Sequence, residues 1–334
     1  MAFADTDLGY NSGMLSEFDL IDQYFTRPPR RKDVAVGIGD DCALLLPEAG
    51  SELAISSDML VEGRHFFPDT DAHALGHKCL AVNLSDLAAM GAEPMAFTLA
   101  LALPEANPTW LAPFSAGLLE LADRHGCELI GGDTTKGPLN ICITIFGKIP
   151  SGCALHRNAA RVGDDIWISG TVGDARLALA AYRGELHLDE RTLATAAERM
   201  HRPTPRVALG IALRGIAHAA IDISDGLAGD LAHILKRSSV GACLHVDALP
   251  AGPMLAAQDQ STRRRFMLAG GDDYELCFTA PAPMRDAVLQ AGAASGTPVA
   301  RVGSIEAAPG LRIVDADGTV LDLKTPSFDH FNSP

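Results

Sequence analysis

The sequence predicts a two-domain protein, with an α/β unit over residues 1–150 and a second unit of mixed strand and helix over residues 151–334. Three observations carry this. The chain has 334 residues, and domains run to about 100–200 residues each. The first half alternates apolar strand-like runs with helical stretches, and Asp-bearing turns close several of the strands. The pattern changes after Pro150-Ser151-Gly152, where short strands mix with alanine-rich helix.

The elements follow in order. A polar entry contains a short helical stretch at residues 17–25. DVAVGIGDDCALLLP reads as a strand broken by glycines around an Asp pair, and LAISSDML as a strand ending in Ser-Ser-Asp. A helix is expected over residues 72–90, with Leu75, Cys79, Val82 and Leu87 on its apolar side and Gly91 as its stop. AFTLALALP is a buried strand, and Asn107-Pro108 is a cap and first turn for a helix reaching His125. CELIGGDTT and LNICITIFGKI are strands. In the second half, RVGDDIWISG is a strand and residues 174–182 a helix. HRPTPR is a proline-interrupted link before a helix at 207–216. AAIDISDGLAGDLAHILKR turns directly from strand to helix, and LAGGDDYELCF is a Gly-Gly-Asp turn followed by a strand. The stretch ARVGSIEAAPGLRIVDADGTVLDL reads as hairpin-like, with Asp317-Gly318 as a turn.

Composition narrows the function. Hydrophobic residues at 47% and charged residues at 21% exclude a disordered or fibrous chain. No apolar run approaches the ~20 residues that span a bilayer. The acidic start MAFADTDLGYNSGMLSEFD lacks the order of a signal peptide. A cytosolic protein without a membrane partner is expected. The seven cysteines are scattered, form no CxxC pair and sit mostly in apolar runs, which predicts buried thiols. A net charge of −15 argues against nucleic acid as a partner. A polyanionic small molecule would need local cations or metal ions to approach. The acids are 29 Asp against 13 Glu, although Asp is the poorer helix former. That excess points to turns, caps or hard-metal sites.

Six segments share one pattern, in which an apolar element leads to small residues and then Asp. They are Gly39-Asp40-Asp41, Ser56-Ser57-Asp58, Leu84-Ser85-Asp86, Gly131-Gly132-Asp133-Thr134, Asp222-Ile223-Ser224-Asp225-Gly226 and Gly270-Gly271-Asp272-Asp273. Gly and Ser let backbone approach a bulky ligand. Mg²⁺ takes a few carboxylates together with phosphate oxygens and water. Several converging Asp would hold it around a triphosphate, which suits phosphoryl transfer. Any one segment alone has a plainer use, because Asp at a turn or before a helix caps backbone N–H groups; Asp225 fits that role equally well. Asp86 differs. It sits inside an apolar helix with Asn83 on its face, where an unpaired carboxylate is costly to bury. A cation, metal or side chain, would relieve it. His65 follows Asp58 closely, and Arg157 is a lone cation near the domain junction, suited to a phosphate clamp or to plain exposure. There is no GxxxxGK(S/T) loop, no GxSxG and no HExxH.

GIGDDCALL, AISSDMLVEGRHF, KCLAVNLSDLAAMGAEP, LIGGDTTKGPL, IDISDGLAGDLAHI, GGDDYELCF and the terminal FDHF resemble the thiamine-monophosphate kinase family, of the aminoimidazole-ribonucleotide synthetase-like ATP-using superfamily. The resemblance runs from about residue 15 to residue 331. It implies an N-terminal α/β domain that binds ATP and Mg²⁺ and pairs its strands across a homodimer into a barrel. The C-terminal α+β domain would complete the cleft. The implied reaction moves the ATP γ-phosphoryl group to thiamine monophosphate. By resemblance, Asp41, Ser57, Asp58, Asp86, Asp133, Asp222 and Asp225 hold several Mg²⁺ ions. Ser56, Arg157 and Ser224 touch ATP, with Gly132 and Thr134 framing its phosphates. His65, Asp272 and Phe328 touch the acceptor. The family often has Glu where this chain has Asp272. Other expectations stay open: a different ATP-using member of the superfamily, such as an aminoimidazole-ribonucleotide or selenophosphate synthetase, or a non-catalytic Mg-nucleotide sensor.

Overall fold

The computed structural model describes residues 16–323. Helix α1 (Glu17–Tyr24) starts with a reciprocal cap, in which the Ser16 hydroxyl accepts from the Asp19 N–H and Asp19 reaches back to the Ser16 N–H. Strands β1 (Val34–Val36) and β2 (Leu44–Leu45) enclose the Gly39-Asp40-Asp41 turn. Then come β3 (Ser51–Val61), α2 (Ala72–Ala89), β4 (Glu93–Leu103), α3 (Pro108–His125), β5 (Glu128–Lys136) and β6 (Asn140–Pro150). The helix ends follow their sequence signals. Asp71 accepts from the Ala74 N–H at 2.8 Å to start α2. Asn107 caps α3 ahead of Pro108, and Gly126 closes it in the left-handed conformation.

Strands β3, β6, β4 and β5 form one sheet in that order, antiparallel except for the parallel β4–β5 pair. Helices α2 and α3 pack on one face of it. The other face leaves Leu53, Ile55 and Met59 exposed.

The second half comprises β7 (Asp164–Ser169), α4 (Asp174–Tyr182), α5 (Glu190–His201), α6 (Val207–Ala212), β8 (Ala219–Asp222), α7 (Leu227–Ser238) and β9 (Gly241–His245). It continues with α8 (Gln260–Ala269), β10 (Leu276–Pro281), α9 (Arg285–Ala294), β11 (Val299–Glu306) and β12 (Gly310–Val314). Its six strands form a second sheet in the order β12-β9-β11-β7-β10-β8. Ile166, Ile168, Ile221 and Cys277 on one face pack with α4, α5, α7 and α8. Trp167, Ala220, Leu276 and Phe278 on the other join the apolar cluster that contains α2. Helix α2 is therefore the joint between the two sheets. It is apolar on most sides because most sides are covered. No described helix is long and apolar enough to cross a membrane.

Three differences from the sequence expectations stand out. The helix expected over 207–216 stops at Ala212, and Gly215 at φ +72° turns the chain. Helices α5, α8 and α9 were not expected. The stretch read as a hairpin is not one. Strands β11 and β12 never pair with each other; both flank β9, β11 antiparallel and β12 parallel. Their link crosses the start of β9 at Gly241, where a Cβ would stand 1.8 Å from the Ala308 carbonyl oxygen. The turn at Asp317-Gly318 is present, with Gly318 at φ +81° and the Asp315 N–H donating to the Thr319 carbonyl.

Candidate active site

A cavity of about 480 Å³ opens where β3, α2, the end of β8 and the chain around residues 269–274 meet. Strand β3 supplies Asp58. Successive residues of a strand point to opposite faces, so Ser56, Asp58 and Leu60 face α2 while Ser57 and Met59 face away. From α2 come Asp86 and its neighbour Ser85. The Ser56 hydroxyl donates to Asp86 Oδ2, and the Ser85 hydroxyl donates to Asp222 Oδ2 at 2.9 Å. Asn83 accepts from the Asp58 N–H at 3.3 Å and donates to the Cys79 carbonyl, which fixes its side chain one turn before Asp86.

Asp222 ends β8 and is buried. The turn after it is tied from inside α7. Asp230 Oδ2 accepts from the N–H groups of Ser224, Asp225 and Gly226, each at 3.1 Å. Helix α7 has no side-chain cap at Gly226, and Asp230 does that work from the first turn. The 270–274 segment then lies along this turn: the Asp272 N–H donates to the Ser224 carbonyl, and the Tyr274 N–H to that of Ile223.

Burial and mutual repulsion govern the electrostatics. Desolvation, then the charge of Asp86, push Asp58 up to about 7. Desolvation and Asp86 push Asp222 up to about 8, against the Ser85 hydrogen bond that lowers it. Asp86 is itself raised by desolvation, opposed by Ser56, by the charge of Arg157 and by Asp58. Asp230 is raised to about 7 by burial and by Asp225. The Val61 N–H donates to His65 Nδ1 at 3.0 Å, which leaves the ring proton on Nε2.

The cavity thus brings together Asp58, His65, Asp86, Asp222, Ser224, Asp225 and Asp272, with Ser56 behind Asp86. Other expected site residues lie elsewhere. Asp41 is exposed on the turn between β1 and β2. Ser57 pairs with Thr144, Thr144 with Thr98, and Asp133 with Ala100; cross-strand partners share a face, so Ser57 and Asp133 lie on the open face of the first sheet. Gly132 sits at φ +148°, and a Cβ there would stand 1.8 Å from the Leu99 carbonyl oxygen. Thr134 is half-buried on β5. Arg157 is exposed on the link between β6 and β7 and acts on Asp86 and Asp222 through its charge. Phe328 lies outside the described residues. Among the described residues, no three His, Cys, Asp or Glu side chains form a ready-made metal cage.

Sequence reasoning missed Lys78, Asp230 and Tyr274. Lys78 was legible, because Lys78, Val82 and Asp86 recur at four-residue spacing on one helix face.

The chain matches the families "AIR synthase related protein, N-terminal domain" over residues 39–149 and "AIR synthase related protein, C-terminal domain" over residues 161–316. It is 48% identical over 322 residues to the thiamine-monophosphate kinase of Salmonella typhimurium, covering 95% of this chain and 99% of that one. The chain belongs to the thiamine-monophosphate kinase family. The crystal structure of the thiamine-monophosphate kinase from Stenotrophomonas maltophilia superposes with a TM-score of 0.82 at 46% identity, over 87% of this chain and 93% of that one. AaThiL complexed with AMPPCP and TMP superposes with a TM-score of 0.74 at 28% identity, over 86% and 89%.

Proposed function

We propose that this chain transfers the γ-phosphoryl group of ATP directly to thiamine monophosphate, giving thiamine diphosphate and ADP, as a Mg²⁺-dependent cytosolic homodimer. One observation carries the reading. Asp58, Asp86 and Asp222 arrive from three different elements at one cavity, and that cavity also presents Lys78, His65 and Asp272. Family membership supports it, as does the AaThiL complex with AMPPCP, an ATP analogue, and TMP.

The donor chemistry fits Mg²⁺. The groups are hard oxygens, and burial with mutual repulsion makes the uncompensated carboxylates hold protons near neutral pH. Asp58, Asp86, Asp222 and Asp225 would hold the ions from the cavity side, with Asp41, Ser57 and Asp133 as the outlying members of the set. Bound there, Mg²⁺ would screen the charge between the two phosphates. The protein's own groups orient the reactants. Ser56 and Ser85 fix the direction of Asp86 and Asp222, and Asp230 holds the turn that carries Ser224 and Asp225. Ser224, Ser56, Gly132, Thr134 and Arg157 serve ATP; His65, Asp272 and Phe328 serve the acceptor. Residues 1–150 form the ATP- and Mg²⁺-binding domain, and residues 151–334 complete the cleft. The partner's sheet covers the open face that bears Leu53, Ile55 and Met59, closing the barrel.

The test is ADP formation in Mg²⁺–ATP with and without thiamine monophosphate, with product identification by chromatography. Acceptor-dependent ADP and equimolar thiamine diphosphate are expected. ADP formation that ignores the acceptor would overturn the assignment.

A further inference from the structure

Lys78, Val82 and Asp86 form one stripe of α2 along the cavity wall. At about 1.5 Å per residue, Lys78 and Asp86 lie about 12 Å apart along the helix. One end of the stripe is the carboxylate cluster, and the other is an ammonium group. Lys78 is only 4% exposed, and its Nζ stands 3.1 Å from Asp272 Oδ2. The second oxygen of that carboxylate, Oδ1, accepts from the Tyr274 hydroxyl at 3.2 Å. Burial pushes the Tyr274 phenol up, so its O–H remains a donor.

The backbone is held as well. Asp272 sits at φ +67° and Tyr274 at φ +50°, both in the left-handed region. Such residues cost free energy and persist where their surroundings over-determine them. The Asp272 side chain is still 30% exposed and lines the cavity. It is gripped at both oxygens and open to the cavity. Nothing in the packing of α2 requires an ammonium at position 78, since burying one is costly and an apolar side chain of similar length would fill the space. The lysine comes from the first half of the chain and the tyrosine from the second, so the grip spans the joint.

We propose that Lys78 and Tyr274 are positioning residues that aim the Asp272 carboxylate at the cationic ring of the acceptor and so set acceptor affinity without touching the ATP side. The inference rests on the phosphotransfer reading above. A carboxylate fixed in advance loses less freedom when the ring arrives. The acid end of the stripe, a few turns away, serves the nucleotide.

The experiment measures initial rates of wild type, Lys78→Met, Lys78→Arg and Tyr274→Phe with each substrate varied in turn. Melting curves and calorimetric binding of thiamine monophosphate accompany them. Lys78→Met should raise the acceptor KM ~10-fold or more, Tyr274→Phe should raise it several-fold, and both should leave the ATP KM within about twofold. Lys78→Arg keeps the charge and should recover most of the loss. Equal rises in both KM values, or a lower melting temperature with an unchanged acceptor KM, would overturn the proposal. If Lys78→Met does not fold, Lys78→Arg and Tyr274→Phe carry the same comparison. If wild type binds thiamine monophosphate but transfers nothing to it, the functional reading fails. Calorimetry then decides the grip: weaker binding in the variants supports it, and unchanged binding overturns it. Absence of binding to wild type overturns both.

Discussion

Asp58 on β3 and Asp86 on α2 meet at the cavity, where burial first and then the charge of Asp86 lift Asp58 to about 7. Asp222 at about 8 and Asp230 at about 7 share the predicament. In the unfolded chain these carboxylates titrate near 3.9. The folded state therefore binds more protons than the unfolded state above that value. The stabilisation is complete below about pH 4 and is lost as pH rises through the folded values. His77, His125 and His201 are lowered by burial and act in the opposite sense below about 6.5. Between about pH 7 and about 8.5 the aspartates dominate. In EDTA, the melting temperature should fall across that interval, and Asp58→Asn should flatten the slope. A melting temperature that rises with pH there would contradict the electrostatic picture.

Asp86→Asn removes one charge from the cluster while keeping an acceptor for the Ser56 hydroxyl. Each close like-charge pair costs on the order of 1 kcal/mol at high effective dielectric. The metal-free variant should melt at the same temperature as wild type or higher. Its stabilisation by Mg²⁺–ATP should shrink, and turnover should drop by at least ~10²-fold. A thermal-shift series in EDTA, Mg²⁺ and Mg²⁺–ATP reads both signs. A destabilised, fully active variant would remove Asp86 from the site.

The open face of the first sheet should bury itself in a dimer. Ile55 is 59% exposed and Met59 53%, and they lie on the same face as Ser57 and Asp133. Light scattering should give twice the chain mass for wild type. Ile55→Glu should give a monomer with much reduced turnover, since Ser57 and Asp133 would lose their setting. A fully active monomeric variant would separate that face from the chemistry.

Gly132→Ala tests a packing role at a residue the sequence associated with phosphates. The added Cβ would collide with the Leu99 carbonyl, and φ +148° is unfavourable for any other residue. Stability should fall by roughly 2 kcal/mol or more in denaturant titration. An unchanged midpoint would show that β4 and β5 can part at no cost.

Much of the first half was legible because its signals are local. The Asn107 cap is where the sequence puts it, and Gly91, expected to stop α2, follows that helix at φ +68°. Of the missed helices, α8 buries only Phe266, Met267 and Leu268, at its end, while α5 builds its buried side from the small residues Ala196 and Ala197 with Met200. The false hairpin had correct turn residues. What the sequence lacked was the long-range fact that β9 lies between β11 and β12. The site divides the same way. The recurring small-residue–Asp pattern picked out Asp58, Asp86, Asp222, Asp225 and Asp272 at the cavity. It also grouped Ser57 with Asp58, although the period of two in LAISSDML sends adjacent residues to opposite faces. Lys78 passed unnoticed because its partner, Asp272, lies far away in the chain.

Direct phosphoryl transfer in this cavity would leave no covalent intermediate on the protein. ATP labelled in its γ-phosphoryl group, mixed with stoichiometric enzyme, Mg²⁺ and thiamine monophosphate and quenched over time, tests it most directly. The label should pass from ATP to thiamine diphosphate in one step, with no labelled protein at any time point and with Asp86→Asn slowing that step. A stoichiometric phospho-enzyme that is chased into product would contradict it.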